Sequence, residues 1–272
     1  MKKVLLAITV LLLIFCCASC NSSSACIECG QKYAAKDNYC SNCGAEIVKG
    51  SENTYTKGLR YMELPDGNYA VSAGDALYLE EIIIPSTYKG KAVTEIAQYG
   101  FSEAPNLAKV IIPSSIKTIN FRAFYWCKKL TTVEFSEGLI TLEQGVFQGC
   151  TELKNIKLPL SIQKIGPISF LDCPLTMVEI LGTDDVTVCD RAFACTQLTS
   201  IILGRGVKEI ESGAFTWNEI ESIFYIGTID EWQKIQMNDK LMNANLYFYS
   251  ETAPETSGSY WHYVDGVPAI WE

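Results

Sequence analysis

The chain has 272 residues, of which 22 are basic and 31 acidic, so its formal net charge at pH 7 is −9; 48% of its residues are hydrophobic. An acidic surface repels phosphate backbones and anionic headgroups, which argues against nucleic acid and acidic lipid as partners. The chain has a single histidine, His262, and lacks HExxH, GxSxG and phosphate-binding glycine-rich motifs. We therefore expect no enzyme.

Residues 1–19 are predicted to be an export signal, because two lysines precede an apolar run from Val4 to Phe15. The following Cys17-Ala18-Ser19-Cys20 resembles a bacterial lipobox, which implies that Cys20 is lipidated and anchors the chain to a membrane. An uncleaved anchor and ordinary secretion are the alternatives. All three place the rest of the chain outside the cytoplasm. Loss of the two lysines would leave 20 basic against 31 acidic residues, a net charge of −11.

Two CxxCG turns follow a polar tether at residues 20–25 and precede a linker at residues 45–57. Four thiolates in two such turns suit one tetrahedral zinc ion, and four cysteines close the coordination shell, so the site would be structural. We predict a zinc ribbon over residues 26–44 with the ligands Cys26, Cys29, Cys40 and Cys43. Two disulfides, or iron in place of zinc, are the alternatives.

A period of 23 residues dominates residues 93–227. It is marked by the phenylalanines Phe101, Phe124, Phe147, Phe170 and Phe193, with Phe215 following after 22 residues. Such a unit cannot close a core alone, so each period predicts one coil of a solenoid. An LxxLxL pattern in each unit predicts a short strand facing the core, and a second short strand follows it. We therefore predict a β-rich leucine-rich repeat solenoid, with an N-terminal cap and irregular first rung at residues 58–92.

Segments such as IKTINFRAFYWCKKLTTVEF and VKEIESGAFTWNEIESIFY resemble the BspA-like leucine-rich repeat family. The resemblance covers about residues 58–250 and rests on phased Ala-Phe, Cys, Leu and Ile positions. It implies a binding scaffold on a cell surface, in some members an adhesin for host matrix proteins.

Four cysteines follow successive phenylalanines by two or three residues: Cys127, Cys150, Cys173 and Cys195. We expect them to form a reduced, buried ladder, in which replacement by serine is more damaging than replacement by alanine because the hydroxyl would lack an assured partner. Strands about 4.8 Å apart would also allow disulfides between neighbouring coils, which is the alternative.

The strand positions that alternate away from the core are the candidate binding face, because a row of strands offers an extended surface. They are Lys109, Ile111, Thr132, Glu134, Asn155, Lys157, Met177, Glu179, Ser200, Ile202, Ser222 and Phe224. The apolar residues Ile111, Ile202 and Phe224 would be exposed on this row and favour a contact patch. A solvated face without a ligand is the alternative.

Residues 228–272 are predicted to be a C-terminal cap, which begins with a helix whose N-cap is Thr228. Its aromatic residues are expected to cover the last coil: Trp261, Tyr263 and Trp271. A sugar-stacking platform is the alternative. We expect His262 to be a hydrogen-bonded side chain within a capping strand.

Three functions remain open at this point. The first is a membrane-tethered binding scaffold or adhesin for an extracellular protein or glycan, the second an inert structural spacer or envelope component, and the third a carbohydrate-binding module built on the aromatic tail. The sequence does not name the ligand.

Overall fold

The computed structural model describes residues 55–238, 241, 244–254 and 259–271 of the chain. These residues belong to one compact unit, Tyr55–Glu272. The predicted signal, the lipidation site Cys20 and the zinc ligands Cys26, Cys29, Cys40 and Cys43 lie outside the described residues.

One side of the solenoid is a ten-stranded sheet, sheet A, that takes a short strand from each coil. Its strands are β1 (Arg60–Glu63), β2 (Tyr69–Ser72), β4 (Thr87–Tyr88), β5 (Lys91–Ile96), β7 (Thr118–Ile119), β9 (Thr141–Leu142), β10 (Lys164–Ile165), β12 (Val186–Val188), β14 (Val207–Ile210) and β16 (Gln236–Met237). They are ordered β1-β2-β5-β7-β9-β10-β12-β14-β16, with β4 beside β5. The pairs from β2 onward along this order are parallel, as expected for successive coils, whereas β1–β2 and β4–β5 are antiparallel and belong to the N-terminal cap.

The LxxLxL strands form the second side of the solenoid in two sheets, and their outward surface is called the strand face below. The first sheet is β3 (Glu81–Ile83), β6 (Lys109–Ile112) and β8 (Thr132–Phe135). The second is β11 (Met177–Ile180), β13 (Ser200–Gly204), β15 (Ser222–Ile226), β17 (Asn245–Tyr249), β18 (Tyr260–Val264) and β19 (Val267–Ile270). The two strands predicted for each repeat are therefore confirmed for the solenoid as a whole. The coil between β8 and β11 is an exception, because it contributes no strand to either sheet of the strand face.

A column of stacked phenylalanine rings fills the core between these two sides. Phe101, Phe124, Phe147, Phe170, Phe193 and Phe215 lie face to face with neighbouring ring centroids 4.9–5.4 Å apart. All six are almost fully buried, and aliphatic residues of both strands surround them in one continuous cluster. The 23-residue period thus corresponds to one coil, and each coil adds one ring to the column.

The third side of the solenoid, the turn face, carries the phenylalanines and reverses the chain between the two strands. In each coil the residues two before and two after the phenylalanine have positive φ, for example Arg122 at 51° and Trp126 at 55°. Left-handed backbone suits glycine, which takes these places at Gly145 and Gly149. Elsewhere larger side chains occupy them, and the packed core must compensate for the strain.

The strand face is interrupted between β8 and β11. In the coil between them the only ladder contact is a single bridge from Lys157 to Glu179. Phe135 occupies an inward slot that is filled by smaller side chains in other coils, namely Ile112, Leu158, Ile180 and Leu203. Its ring packs edge-on against Phe147, with the centroids 6.3 Å apart.

The C-terminal cap begins as the sequence predicts. A short helix, α1 (Ile229–Trp232), starts after Thr228, whose hydroxyl accepts a hydrogen bond from the Glu231 backbone N–H at 3.3 Å. The Glu231 carboxylate in turn accepts one from the Thr228 N–H at 2.8 Å. These two bonds form a capping box, which confirms Thr228 as the N-cap. A 3₁₀ helix at Gly74–Tyr78 belongs to the N-terminal cap.

Three of the four predicted ladder cysteines are buried as expected. Cys127, Cys150 and Cys173 are fully buried and unpaired, and each thiol donates a hydrogen bond to a phenylalanine carbonyl oxygen of the preceding coil at 3.0–3.2 Å. Burial raises the pKa of the Cys127 thiol to about 12, so it keeps its donor proton at neutral pH.

The prediction for Cys195 is wrong. This residue is exposed, because it lies two residues after Phe193 rather than three and therefore takes a left-handed turn position. Thr196 and Asn218 occupy the ladder position in the last two coils. The Asn218 amide donates to the Phe193 carbonyl at 2.7 Å, as the thiols do in earlier coils. The expected ranking of serine below alanine is also unfounded, since the ladder supplies an acceptor.

We expect Cys150→Ser to be no less stable than Cys150→Ala, because the serine hydroxyl can donate to the Phe124 carbonyl that now accepts from the thiol. Both variants should lose about 1–2 kcal/mol of unfolding free energy. Urea unfolding followed by circular dichroism measures this, and the exposed Cys195→Ser, expected within about 0.5 kcal/mol of wild type, is the control. A serine variant more than about 1 kcal/mol below the alanine variant would show that the carbonyl is not an effective acceptor.

Candidate binding surfaces

The charged residues of the strand face pair with one another. The Lys109 ammonium is 2.9 Å from Glu134 and 3.6 Å from Glu81, which lie on the strands to either side. The hydrogen bond to Glu134, together with the negative charge of both glutamates, raises the pKa of Lys109. These groups are exposed, so the pairs add little stability. Two carboxylates share one ammonium here, so this part of the face keeps a net charge of −1.

The middle of the strand face continues this alternation of charge. Lys157 lies opposite Glu179 in the single bridge between their coils. Burial raises the pKa of Glu179, and the Lys157 charge opposes that shift. Asn155 and Lys157 are exposed. Five other candidates of the strand face are half-buried: Ile111, Thr132, Met177, Ser200 and Ser222. For these positions, binding of a ligand stays a prediction.

The expectation that Ile202 and Phe224 are exposed is wrong. Ile202 is fully buried and Phe224 is 6% exposed, because Trp261 of the C-terminal hairpin folds back over them. The Trp261 ring centroid is 5.3 Å from that of Phe224, and its indole N–H donates to the Tyr225 carbonyl at 3.3 Å. A second hydrophobic cluster therefore lies outside the main core, on the strand face itself.

Strands β18 and β19 therefore extend the second sheet of the strand face, and their aromatic residues also cover part of that face. Tyr263 also joins the outer cluster, and burial, with a contribution from the Glu179 charge, raises its pKa to about 12. Because Trp261 has no exposed surface, the three aromatics cannot form the alternative sugar-stacking platform. His262 lies in β18 as expected, but its ring stacks on Trp271 at 3.7 Å and its buried Nδ1 has no hydrogen-bond partner, so the expected hydrogen bond is absent.

The turn face carries a different surface, which we call the aromatic patch. It consists of Tyr99, Phe121, Arg122, Tyr125, Trp126 and Lys128, from two adjacent coils. Tyr99 packs edge-on against Phe121 at 5.2 Å, and Tyr125 lies 5.7 Å from Trp126. Tyr99 and Trp126 have exposed fractions of 47% and 46%. Exposed rings in contact with one another mark an interaction surface more often than scattered apolar residues do.

Two cations lie within the aromatic patch. The Arg122 guanidinium is 5.1 Å from the Phe121 ring centroid and 4.6 Å from that of Tyr125, while the Lys128 ammonium is 4.7 Å from the Trp126 centroid. Both are cation–π distances. In the part of the chain that the structure describes, no carboxylate forms an ion pair with either cation. Arg122 Nε is buried without a hydrogen-bond partner.

The next coil leaves room for the aromatic patch. A Cβ at Gly149 would clash with the Trp126 indole, and one at Gly145 would come within 3.1 Å of Arg122 Cγ. Because both left-handed positions are glycine, the Trp126 and Arg122 side chains can pack against the backbone of the neighbouring coil. Sequence reasoning missed this surface because it considered only the strands. Its signal was the segment FRAFYWCKK, in which four aromatic and three basic residues fall within nine positions.

Two kinds of site are absent from the described part of the chain. No cluster of three or more metal-binding side chains occurs there. Within the same residues, no helix has the length and apolar character needed to cross a membrane.

The family profile described as BspA type leucine rich repeat region matches residues 74–186 and 117–241, in 6 copies. The chain belongs to the BspA-type leucine-rich repeat family. A BspA-type assignment agrees with the one-ring-per-coil core and with the solenoid predicted from the sequence. A search of curated proteins gave no match.

Solved structures show that this BspA-type chain shares its fold with other repeat proteins. A leucine-rich repeat protein of T. pallidum is 23% identical, with a TM-score of 0.51, over 70% of this chain and 98% of that chain. A leucine-rich cell surface protein of Faecalibacterium prausnitzii is 22% identical, with a TM-score of 0.56, over 82% of this chain and 62% of that chain. The aromatic patch of the present BspA-type chain lies inside the region that the family profile matches.

Replacing Trp261 by alanine should release the C-terminal hairpin, because the indole supplies both the ring contact to Phe224 and the hydrogen bond to the Tyr225 carbonyl. We expect the amide protons of β18 and β19 to exchange at least about tenfold faster, with those of β6 and β8 unchanged. Hydrogen exchange with mass spectrometry measures this. Trp217→Ala is the control, since Trp217 is 69% exposed. Unchanged exchange in the hairpin would mean that Trp261 does not hold it.

Proposed function

We propose that the chain is a non-catalytic binding scaffold that acts outside the cell and contacts its ligand through the aromatic patch. The observation that carries this proposal is the exposure of Tyr99 and Trp126 around an unpaired arginine. Tyr, Trp and Arg are the residues that most often dominate binding energy at interfaces. The rest of the solenoid serves to hold this surface rigid.

The strand face supports the proposal by contrast. Lys109 already pairs with Glu81 and Glu134, and the apolar end of the face is covered by Trp261. A ligand there would have to break existing contacts. At the aromatic patch, a ligand would gain contacts without breaking an ion pair.

A structural spacer is the second candidate function. The strand face favours it, because Lys109 already has partners within the face and the apolar residues Ile202 and Phe224 are covered. The two functions differ in whether the aromatic patch contributes to any binding.

Export and membrane anchoring complete the proposal. The N-terminal signal and Cys20 are the features that support it, and a structural relative from Faecalibacterium prausnitzii is described as a cell surface protein. We further propose that Cys26, Cys29, Cys40 and Cys43 hold a structural zinc ion between anchor and solenoid, since two CxxCG turns provide four thiolates. The zinc would fold a segment too short to have its own core.

Intact-protein mass spectrometry under native conditions tests both N-terminal proposals. We expect protein purified from its producing cells to begin at Cys20, to carry a diacylglyceryl group and to hold one zinc ion that a chelator removes. Cys20→Ala should retain residues 1–19 and lack the lipid. A chain that starts at Met1 would contradict the lipid anchor and favour the uncleaved signal, and two disulfides without metal would contradict the zinc site.

An array of glycans and extracellular proteins, probed with the full chain in detergent, tests the binding function. We expect at least one ligand, with the signal reduced at least about tenfold by combining Tyr99→Ala with Trp126→Ala, because both rings are exposed and central to the patch. The control combines Asn155→Ala with Lys157→Ala on the strand face, and it should bind like wild type. Loss in the control alone would place the site on the strand face. Absence of any ligand would favour the spacer.

A further inference from the structure

We infer that the aromatic patch recognises an anionic polysaccharide, meaning a chain of sugars that carry carboxylate or sulfate groups. This inference rests on the proposed binding function and specifies its ligand class. It follows from the state of Arg122, from the shape of the ring surface and from the charge around it.

A second arginine lies at the position of Arg122 in a later coil, and the two can be compared directly. Arg191 occupies the same left-handed turn position three coils later, and its guanidinium pairs with Asp190 at 3.0 Å. The residue that corresponds to Asp190 in the coil of Arg122 is Phe121. A carboxylate partner is thus replaced by a ring, and Arg122 is held between Phe121 and Tyr125 without an anion.

A guanidinium fixed in this way is prepared for an anion from outside. Contacts with two rings restrict the guanidinium, and its terminal N–H groups can donate to a carboxylate or sulfate group. Arg122 Nε is itself buried, so an anion from outside would meet the terminal nitrogens. The net charge of −9 opposes the approach of an anion to the protein as a whole, so an anionic ligand would gain its binding energy locally, at Arg122 and the adjacent rings.

The acidic groups near the patch do not cancel this charge. Glu103 is exposed at the turn position that corresponds to Trp126 in the preceding coil, and it forms no ion pair with Lys128. Lys129 bonds to the neutral side chain of Asn106 at 3.1 Å rather than to an acid. The segment 121–129 carries three cations, Arg122, Lys128 and Lys129, and no carboxylate.

The ring surface favours a sugar chain over an acidic peptide. Aromatic rings stack on the C–H faces of sugars, and Tyr99 and Trp126 are exposed rings contributed by adjacent coils. Neighbouring phenylalanine rings of these coils are 5.2–5.3 Å apart, a repeat close to the length of one sugar residue. Gly145 and Gly149 leave the space that the Arg122 and Trp126 side chains occupy, so both side chains lie close against the next coil.

Biolayer interferometry with the full chain in detergent tests this inference at physiological salt. The probes are polygalacturonate, which is carboxylated; heparin, which is sulfated; neutral dextran; and polyglutamate as an acidic peptide. We expect one or both anionic polysaccharides to bind more tightly than dextran and polyglutamate. Comparison of polygalacturonate with heparin shows whether the bound anion is a carboxylate or a sulfate.

Matched variants locate the site. Arg122→Gln and Trp126→Ala should each weaken polysaccharide binding at least about tenfold, since one removes the anion contact and the other a stacking ring. Arg191→Gln and Trp217→Ala remove the same residue types from corresponding turn positions, and they should stay within about twofold of wild type.

Three results would overturn the inference. Polyglutamate that binds as tightly as the polysaccharides would indicate an acidic protein partner, and an equal loss in Arg191→Gln would indicate non-specific charge attraction. No binding of either anionic polysaccharide would also reject it. If the array ligand depends on Tyr99 and Trp126 but is neutral or a protein, the binding function stands and only this ligand class fails.

Discussion

Stacking of one phenylalanine ring per coil is the constraint on which the remainder of the structure depends. A coil of 23 residues buries too little apolar surface to be stable alone, and it gains a core only through its neighbours. Rings 4.9–5.4 Å apart fix the spacing of the coils at about the separation of paired strands. This column sets the alignment of successive coils in sheet A, on the strand face and on the turn face.

Because the column fixes the backbone, the surfaces of the coils are free to differ. The position two residues before the phenylalanine shows this freedom: it is Tyr99, Arg122, Gly145, Ile168, Arg191 and Gly213 in successive coils. All six share a left-handed backbone, yet their side chains make different contacts. The surface chemistry of such a solenoid varies through substitutions at constant positions, and the aromatic patch is one set of them.

The sequence predicted those features that depend on local patterns. The period, the two strands of each coil and the N-cap Thr228 all follow from spacing within about one coil. Cys195 was misplaced because a shift of one residue in the turn moves a side chain from the core to solvent, and spacing of two or three residues does not distinguish the two. Whether a turn side chain points to the core or to solvent depends on its exact distance in sequence from the stacked phenylalanine.

The sequence could not predict contacts that depend on how distant segments fold back. Ile202 and Phe224 alternate outward as expected, but Trp261 covers them from a strand that is remote in sequence. The aromatic patch likewise brings Tyr99 against Phe121 of the next coil, and glycines of a third coil make room for Arg122 and Trp126. These relations require the three-dimensional stack, since no single repeat contains them.

The stability of a chain lacking one central ring tests the role of the column most directly. Phe147→Ala should lower the unfolding free energy by about 3–5 kcal/mol while keeping a single urea transition, because the lost ring couples the coils on either side. The exposed Trp217→Ala is the reference, expected within about 0.5 kcal/mol of wild type. A loss of less than about 1 kcal/mol in Phe147→Ala would show that the aliphatic frame, rather than the ring column, holds the coils together.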